Sequence, residues 1–160
     1  LLRLGNSPLF PVTFLGAIAA GLIPLPSAAG LTHGEISRLA ALVPLSLILA
    51  EDGVSLPESD VPVVNDLPSM MEGPQGSYAM GDPNRLAYGI FTSGSSGVPK
   101  AVGHAHRAIW ARRMMREGWY GLTAEDRVMH SGAFNWTYTL GTGLLDPWRC
   151  GGVPASRHGR

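Results

Sequence analysis

A short stretch near the middle of the chain, FTSGSSGVPKAVGHAH over residues 91–106, concentrates side chains that are suited to binding an anion. Four hydroxyl side chains surround two glycines, and a single lysine follows directly after a proline. Hydroxyl groups donate hydrogen bonds to phosphate oxygens, glycine lets the backbone approach an anion with positive φ, and lysine adds a point charge. The candidate phosphate ligands are Thr92, Ser93, Gly94, Ser95, Ser96, Gly97 and Lys100.

The neighbouring residues predict the elements that hold this loop. RLAYGIFTS, residues 85–93, is typical of a strand, and HRAIWARRMMREGW, residues 106–119, has its larger side chains at the four-residue spacing of a helix. The order strand, glycine-rich loop and helix would place backbone N–H groups of the loop beside the positive end of a helix dipole. We therefore predict a phosphate-binding loop at a strand-to-helix junction.

Two widespread nucleotide-binding patterns do not fit the stretch. In the P-loop pattern G-x-x-x-x-G-K-[ST] a lysine follows glycine directly, whereas Val98 and Pro99 separate Gly97 from Lys100 here, and no Ser or Thr follows the lysine. The dinucleotide pattern G-x-G-x-x-G is also absent. A generic serine- and glycine-rich surface turn stays open as the alternative, because such turns are common.

Polar residues around the helix that follows the loop have simpler interpretations. His104 and His106 form an H-x-H pair, but two ligands without a third do not make a metal site, so a packing or capping role is favoured and no metal site is predicted. The arginines of the helix are expected to form its solvated side; they are Arg107, Arg112, Arg113 and Arg116.

An aromatic cluster lies further along the chain. His130 and the stretch FNWTY, residues 134–138, are ambiguous, because aromatic clusters usually belong to the core. Cys150 is the only cysteine, which excludes an internal disulfide and a cysteine zinc cluster, and it is expected to act as a small apolar side chain.

The composition limits the classes of function. The 160 residues are 45% hydrophobic, so a core can form, and 12 basic residues balance 12 acidic ones. A neutral chain has no electrostatic footprint for nucleic acid or an anionic membrane, although a small anion needs only a local site. Charged residues make up 15% of the chain, which suits a protein that buries much surface or packs against segments outside this sequence.

The first third of the chain is uncharged from Gly5 to Thr32 but is not expected to span a membrane. Pro11, Pro24 and Pro26 interrupt the stretch, and glycines weaken it further as one helix. No basic n-region or cleavage site marks a signal peptide, and the chain opens as if already within a fold. A cytoplasmic location is the expectation.

Alternating elements predict the fold class. A helix ending near Gly21 precedes a short strand in GLIPLP, and LTHGEISRLAALV then begins a helix at Thr32, with Glu35 completing a capping-box pattern. The apolar run LSLILAE, residues 45–51, is typical of a parallel strand covered on both faces. This order indicates an α/β fold with a mainly parallel sheet flanked by helices. Residues 52–84 are rich in proline and predict a surface connection with one short strand at residues 61–64.

Three stretches of the sequence resemble a known family. YGIFTSGSSGVPKAVGHAH is similar to the phosphate-loop signature of the adenylate-forming enzymes, the AMP-dependent synthetase and ligase superfamily, with mild departures at Phe91 and Ala101. LGNSPLFPVTFLGAIAAGLIPLP resembles the early helix and strand of that family, and FNWTYTLGTGLLDPWRCG resembles the acyl-pocket region of its acyl-CoA synthetases.

The resemblance implies an activity and its cofactors. In that family ATP and a carboxylic acid form an acyl-adenylate with release of pyrophosphate, magnesium assists, and acyl-CoA synthetases then pass the acyl group to coenzyme A. Thr92–Gly97 and Lys100 would contact the β- and γ-phosphates, with Lys100 in the catalytic role, and Trp136 would line the acyl pocket, with a core role as its alternative.

The resemblance also implies that residues 1–160 are part of the AMP-binding N-terminal domain, with the C-terminal domain outside the sequence. The expected partners are a small carboxylic acid and the remainder of that domain. We expect an acid–CoA ligase that is inactive as the 160-residue piece alone. The alternatives are a self-contained phosphate- or nucleotide-binding module and a non-functional piece. The tail RCGGVPASRHGR departs from the family pattern, in which hydrophobic strand residues follow PW.

Overall fold

The computed structural model describes residues 1–70, 72–94, 97–115, 118 and 120–156, without the side chains of 155 and 156. Short strands and helices alternate along the chain. The strands are β1 (Leu2–Arg3), β2 (Ile48–Ala50), β3 (Val63–Val64), β4 (Leu86–Thr92), β5 (Lys100–Ala105), β6 (Arg127–His130) and β7 (Val153–Ser156). The helices are α1 (Leu9–Ala19), α2 (His33–Ala40), α3 (Leu67–Met70), α4 (His106–Ala111), α5 (Arg113–Met115), the π-helix π1 (Thr139–Leu145) and α6 (Asp146–Arg149).

The amino-terminal half forms a parallel sheet with the order β1-β2-β3. All three residues of β2 are buried, as expected for a central parallel strand. Phe10 and Phe14 of α1 pack into the same core as Leu2 and Leu49. The predicted α/β fold with helices against a parallel sheet is confirmed.

Local sequence signals account for the boundaries of both long helices. Thr32 caps α2 in a reciprocal capping box, in which its hydroxyl accepts from the Glu35 N–H and its own N–H donates to the Glu35 carboxylate. The first helix ends at Ala19, and Gly21 follows with a φ of 79°. The strand predicted in GLIPLP is wrong. Only Pro26 bridges to Leu2, because prolines lack the N–H that a strand ladder needs.

The glycine-rich loop connects two antiparallel strands, β4 and β5. The strand predicted at residues 85–93 is confirmed as β4, but the helix predicted to follow the loop is preceded by an unpredicted strand. Larger and smaller side chains alternate in KAVGHA, residues 100–105, with the two-residue period of a strand. This segment pairs with β4 from Leu86 to Thr92. Helix α4 begins at His106, as predicted, but β5 separates it from the loop.

The carboxyl-terminal part forms a third sheet in which β6 and β7 are parallel. π1 and α6 lie between them in sequence and pack on them; every residue of π1 is buried. The tail that departs from the family pattern thus forms a strand at residues 153–156, and residues 157–160 lie outside the described part.

The proline-rich connection is largely exposed, with the predicted short strand at β3 and an unpredicted short helix, α3. The long helix predicted at residues 106–119 divides at Arg112 into α4 and α5. No helix in the described part of the chain is long and apolar enough to cross a membrane.

Candidate functional site

The glycine-rich loop closes on itself between the paired ends of β4 and β5. Thr92 pairs with Lys100 as the last residues of the hairpin ladder. Gly94 and Gly97 have φ values of 57° and 76°, which confirms the positive φ predicted for both glycines. The N–H of Gly97 donates to the carbonyl of Gly94 at 3.2 Å. The described part of the loop therefore bends tightly and carries Thr92, Ser93 and Lys100 at one end of the hairpin.

Gly94 occupies the most crowded position of this bend. A Cβ built there would lie 2.3 Å from the Val98 carbonyl oxygen and 3.8 Å from Lys100 Cε, whereas a Cβ on Gly97 would meet nothing within 4 Å. The Lys100 side chain thus passes close to Gly94. Only glycine fits at Gly94, because both its φ and its space exclude a side chain.

The structure describes five of the seven predicted loop ligands, and these five lie at one end of the hairpin. Thr92 is partly buried and Ser93 and Lys100 are exposed, while Ser95 and Ser96 lie outside the described residues. The predicted contribution of a helix dipole is wrong, because β5 separates the loop from α4 by six residues. An anion at this bend would contact hydroxyls, loop N–H groups and the Lys100 ammonium.

A cleft of about 190 Å³ opens beside the loop. Thr92, Ser93 and Pro99 form one side of it, and Ser27 and Ala28, which follow the proline-rich turn after α1, form part of the other. That second wall is fixed by a fully buried guanidinium: Arg3 Nη1 donates to the Ser27 hydroxyl at 3.2 Å and to the carbonyl of Ala28. The hydroxyl-bearing Thr92 and Ser93 thus share this cleft with a wall that Arg3 holds by hydrogen bonds.

Asn135 brings a second part of the chain to this cleft. It belongs to residues 132–138, which we call the aromatic segment. Sequence reasoning missed Asn135, although it is a polar residue that lies between Phe134 and Trp136. Phe134 is a core residue, 5% exposed and stacked on Phe10 with ring centroids 5.0 Å apart. Trp136 is 65% exposed, which contradicts its alternative core role.

His130 packs at the base of the aromatic segment. Its Nδ1 accepts a hydrogen bond from the Gly132 N–H at 3.2 Å, and its ring meets Tyr138 edge-on with centroids 5.3 Å apart. A Cβ on Gly143 would lie 2.8 Å from the His130 Cβ, so π1 packs directly on this side chain. His130 therefore helps to hold the segment rather than to present a free imidazole.

The predicted packing role is confirmed for His104. Its ring stacks on Tyr88 with centroids 4.6 Å apart and planes 8° apart, and this pair joins β4 to β5. Burial, and then the nearby positive charge of Arg112, lower the pKa of His104. His106, two residues further, begins α4. In the described part of the chain no three His, Cys, Asp or Glu residues converge to hold a metal.

The prediction that the arginines of this helix form its solvated side is confirmed for the exposed Arg107 and Arg113 but wrong for Arg112, and Arg116 lies outside the described residues. Arg112 is partly buried. Its Nε and Nη2 donate to the two carboxylate oxygens of Asp146 at 2.8 and 2.6 Å, and the Asp146 side chain is only 1% exposed. This bidentate contact raises the pKa of Arg112. The guanidinium lies so close to Gly141 that a Cβ there would approach its Cζ to 2.5 Å. Arg113 covers the ring of Trp110 instead, at 3.7 Å.

The chain belongs to a family whose members share this architecture. The AMP-binding enzyme family matches residues 1–155, almost the whole chain. The recognition made from the loop and its two flanking stretches is thereby confirmed.

Individual relatives are named as a coenzyme A synthetase and a coenzyme A ligase. The human protein "Acyl-coenzyme A synthetase ACSM2A, mitochondrial" is 26% identical over 162 residues, which cover 88% of this chain and 28% of that protein. The protein "3-hydroxybenzoate--CoA/4-hydroxybenzoate--CoA ligase" of Thauera aromatica is 33% identical over 69 residues, 43% of this chain and 13% of its own length.

Solved structures agree on the fold. VinN in complex with L-aspartate superposes with a TM-score of 0.82 at 26% identity, over 95% of this chain and 46% of that chain. A malonyl-CoA ligase with methylmalonyl-CoA and AMP bound superposes with a TM-score of 0.80 at 23% identity, over 98% of this chain and 34% of that one. The chain thus spans less than half the length of these relatives.

Proposed function

We propose that this chain supplies the phosphate loop and part of the acid pocket of an ATP-dependent ligase. The enzyme would join a carboxylic acid to AMP and then pass the acyl group to coenzyme A. The observation that carries the proposal is the cleft that Thr92 and Ser93 of the loop line together with Asn135 of the aromatic segment. Membership of the AMP-binding family supports the first of the two steps.

The loop suits the departing group of that first step. A carboxylate oxygen of the acid attacks the α-phosphorus of ATP, the bond from that phosphorus to the bridging oxygen breaks, and pyrophosphate leaves with the electron pair. Lys100 and the hydroxyls of Thr92 and Ser93 would stabilise the negative charge that grows on this leaving group. Because such contacts strengthen in the transition state, they act on the rate more than on substrate affinity.

The aromatic segment suits the acid. Asn135 lines the cleft, so its amide would bind the polar end of the substrate, and the exposed ring of Trp136 offers an apolar face for the acyl group. The cleft of about 190 Å³ is smaller than the roughly 300–1,000 Å³ of common ligand pockets. We therefore expect adenine, ribose and much of the acyl group to contact further chain beyond these residues.

Magnesium and coenzyme A are part of the proposal. Magnesium would bind largely through phosphate oxygens and water, and it would neutralise charge on the phosphates. The residues around the described loop fit the phosphates and offer hydroxyl groups rather than a carboxylate cage. Coenzyme A would attack the acyl-adenylate through its thiol sulfur, the thiol proton would be lost, and AMP would leave.

The test uses the full-length enzyme that contains this chain. Acid-dependent exchange of labelled pyrophosphate into ATP, over a panel of aliphatic, aromatic and amino acids, reports the first step; formation of the thioester reports the second. We expect exchange with at least one acid class and an increased KM for that acid in Trp136→Ala, with the KM for ATP unchanged. Lack of exchange across the panel would contradict the proposed reaction.

The same assay on the isolated 160 residues tests the role of the remaining chain. We expect no acyl-adenylate from them, since the cleft is too small to hold all the reacting groups. Adenylate formation by this piece would contradict the division of the site that we propose. Binding of ATP by the full-length enzyme without exchange for any acid would favour a simple nucleotide-binding module.

A further inference from the structure

Asn6 connects the start of α1 to the aromatic segment across most of the chain. Its Nδ2 donates to the carbonyl of Gly132 at 3.1 Å, and its Oδ1 accepts from the N–H of Phe134 at 3.0 Å. These partners are 126 and 128 residues away in sequence. One side chain thus binds the backbone on both sides of Ala133 and fixes the path of the chain there.

The two hydrogen bonds require an amide of this length. A carbonyl must receive a donor and an N–H must meet an acceptor, so the Asn6 side chain fits in one orientation only. Aspartate has the same size but, when ionised, has no donor for the Gly132 carbonyl. Alanine leaves both backbone groups without this partner, which is costly for partly buried groups.

Asn6 is itself held in place from both sides. The N–H of Gly5 donates to Glu51 Oε2 at 2.9 Å, and the hydroxyl of Ser7 donates to Glu51 Oε1. Glu51 directly follows β2, and its own N–H donates to the carbonyl of Arg3 in β1 at 3.0 Å. The parallel sheet therefore fixes the backbone of Asn6 through one carboxylate.

The clamped backbone leads directly to the cleft. Phe134, whose N–H Asn6 binds, is also locked by its stack on Phe10. The next residue, Asn135, lines the cleft beside Thr92, and the N–H of Trp136 turns back to the carbonyl of Ala133 at 3.0 Å. A shift of the backbone at Phe134 would therefore move Asn135 and Trp136 relative to the loop.

We propose that Asn6 is a positioning residue for acid binding, which sets where Asn135 and Trp136 lie relative to the phosphate loop. This inference rests on the proposed function, because it assigns those two residues to the acid. Its effect differs from that of a purely structural contact. A structural contact changes how much enzyme is folded, whereas a positioning contact changes the KM for the acid in enzyme that is folded.

The test compares Asn6→Asp with wild type in the full-length enzyme, using pyrophosphate exchange with varied acid and varied ATP. We expect the KM for the acid to rise about tenfold or more, with the KM for ATP changed less than twofold. Asn84→Asp, an exposed asparagine in the connection before β4, is the matched control and should leave both values unchanged. Equal values of both KM in Asn6→Asp and wild type would overturn the positioning role.

Hydrogen exchange measures the clamp independently of activity. The Phe134 amide should exchange faster in Asn6→Ala than in wild type, and unchanged protection would overturn the clamp itself. If Asn6→Asp is not recovered folded, Glu51→Gln loosens the same clamp more gently, and we expect a two- to threefold rise in the KM for the acid. No rise in that variant would overturn the positioning role. A wild-type enzyme without acid-dependent exchange would instead remove the proposed function, while the amide protection still reports on Asn6.

Discussion

The phosphate loop and the aromatic segment meet at one cleft but are built in opposite ways. In the described part of the loop, residues 93–94 and 97–99, most residues are exposed, and the bend depends on two glycines with positive φ and on the hairpin that closes it. The aromatic segment leads into the fully buried π1 and is held by Asn6, 126 residues away from Gly132. The chemistry of the loop is thus local, whereas the position of the aromatic segment depends on distant contacts.

This difference indicates a division of labour. A pyrophosphate leaving group is the same in every reaction of this type, so a short, locally determined bend suffices to contact it. An acid substrate varies, and its pocket needs side chains whose positions are set by a packed core. Changes in the loop should therefore alter turnover, and changes behind the aromatic segment should alter stability and acid affinity.

The largest expected effect is that of Lys100→Ala on turnover. Its Cε lies 3.8 Å from where a Cβ on Gly94 would be, so Lys100→Ala removes a positive charge close to the glycine bend and to the proposed pyrophosphate. We expect kcat for exchange to fall about 10²- to 10³-fold, the scale for loss of one transition-state donor, with little change in the KM for the acid. Arg149→Ala, an exposed cation on α6, is the control. An unchanged rate at saturating ATP would show that Lys100 has another role.

Asp146→Ala should have the opposite effect, lowering the free energy of unfolding more than the rate of the reaction. It leaves the Arg112 guanidinium against π1 without its carboxylate. Removing one partner of a buried pair costs about 3 kcal/mol. Urea unfolding monitored by circular dichroism measures this, with the exposed Asp60→Ala as control. Equal midpoints for the two variants would mean that the pair contributes nothing to holding α4 against π1 and α6.

Substitutions at the two glycines of the loop distinguish the effect of positive φ from the effect of steric crowding. Gly97→Ala only forces a side chain into positive φ, at a cost of roughly 1–2 kcal/mol. Gly94→Ala adds a Cβ at 2.3 Å from the Val98 carbonyl oxygen, so it must also move the bend. We expect both to lower kcat, Gly94→Ala several-fold more than Gly97→Ala, while Gly34→Ala in α2, with open space around it, is neutral. A larger effect at Gly97 would contradict the geometry of the bend.

The smallest expected effect concerns the pair that joins β4 to β5. The pKa of His104 lies below its usual 6.5, because burial disfavours the charged ring. Unfolding returns the pKa of His104 to its usual value. At pH values between the folded and the unfolded pKa the unfolded chain therefore binds more protons than the folded chain. The free energy of unfolding falls as the pH drops through this range below 6.5. His104→Phe keeps the stack on Tyr88 and should flatten the decline. An NMR titration midpoint for His104 at or above 6.5 would contradict the assignment.

The sequence predicts the locally determined features of the molecule better than the features that depend on distant contacts. The capping box of Thr32 and Glu35, the buried strand within residues 45–51 and the positive φ of Gly94 were all predictable, because each depends on neighbours in sequence. The strand β5 was missed although KAVGHA alternates, because an exposed short strand next to glycine has a weak signal.

The contacts between residues far apart in sequence could not be predicted, because they form only when distant elements pack together. Arg112 has the spacing of a solvated helix residue, and only the packing of π1 brings Asp146 within 2.6 Å of it. Asn6 and Asn135 are polar residues in apolar stretches whose partners depend on how distant elements pack. The sequence alone locates neither pairing, since both follow from tertiary structure.

Hydrogen exchange of the full-length enzyme, measured by mass spectrometry with each substrate added alone, tests most directly that the two regions bind different substrates. Magnesium ATP or pyrophosphate should slow exchange in peptides covering residues 92–100 and leave the aromatic segment unchanged. The acid should slow exchange in peptides covering residues 132–140 and leave the loop unchanged. Protection of both regions by the same single substrate, or nucleotide protection that bypasses residues 92–100, would contradict the division of the site proposed for this chain.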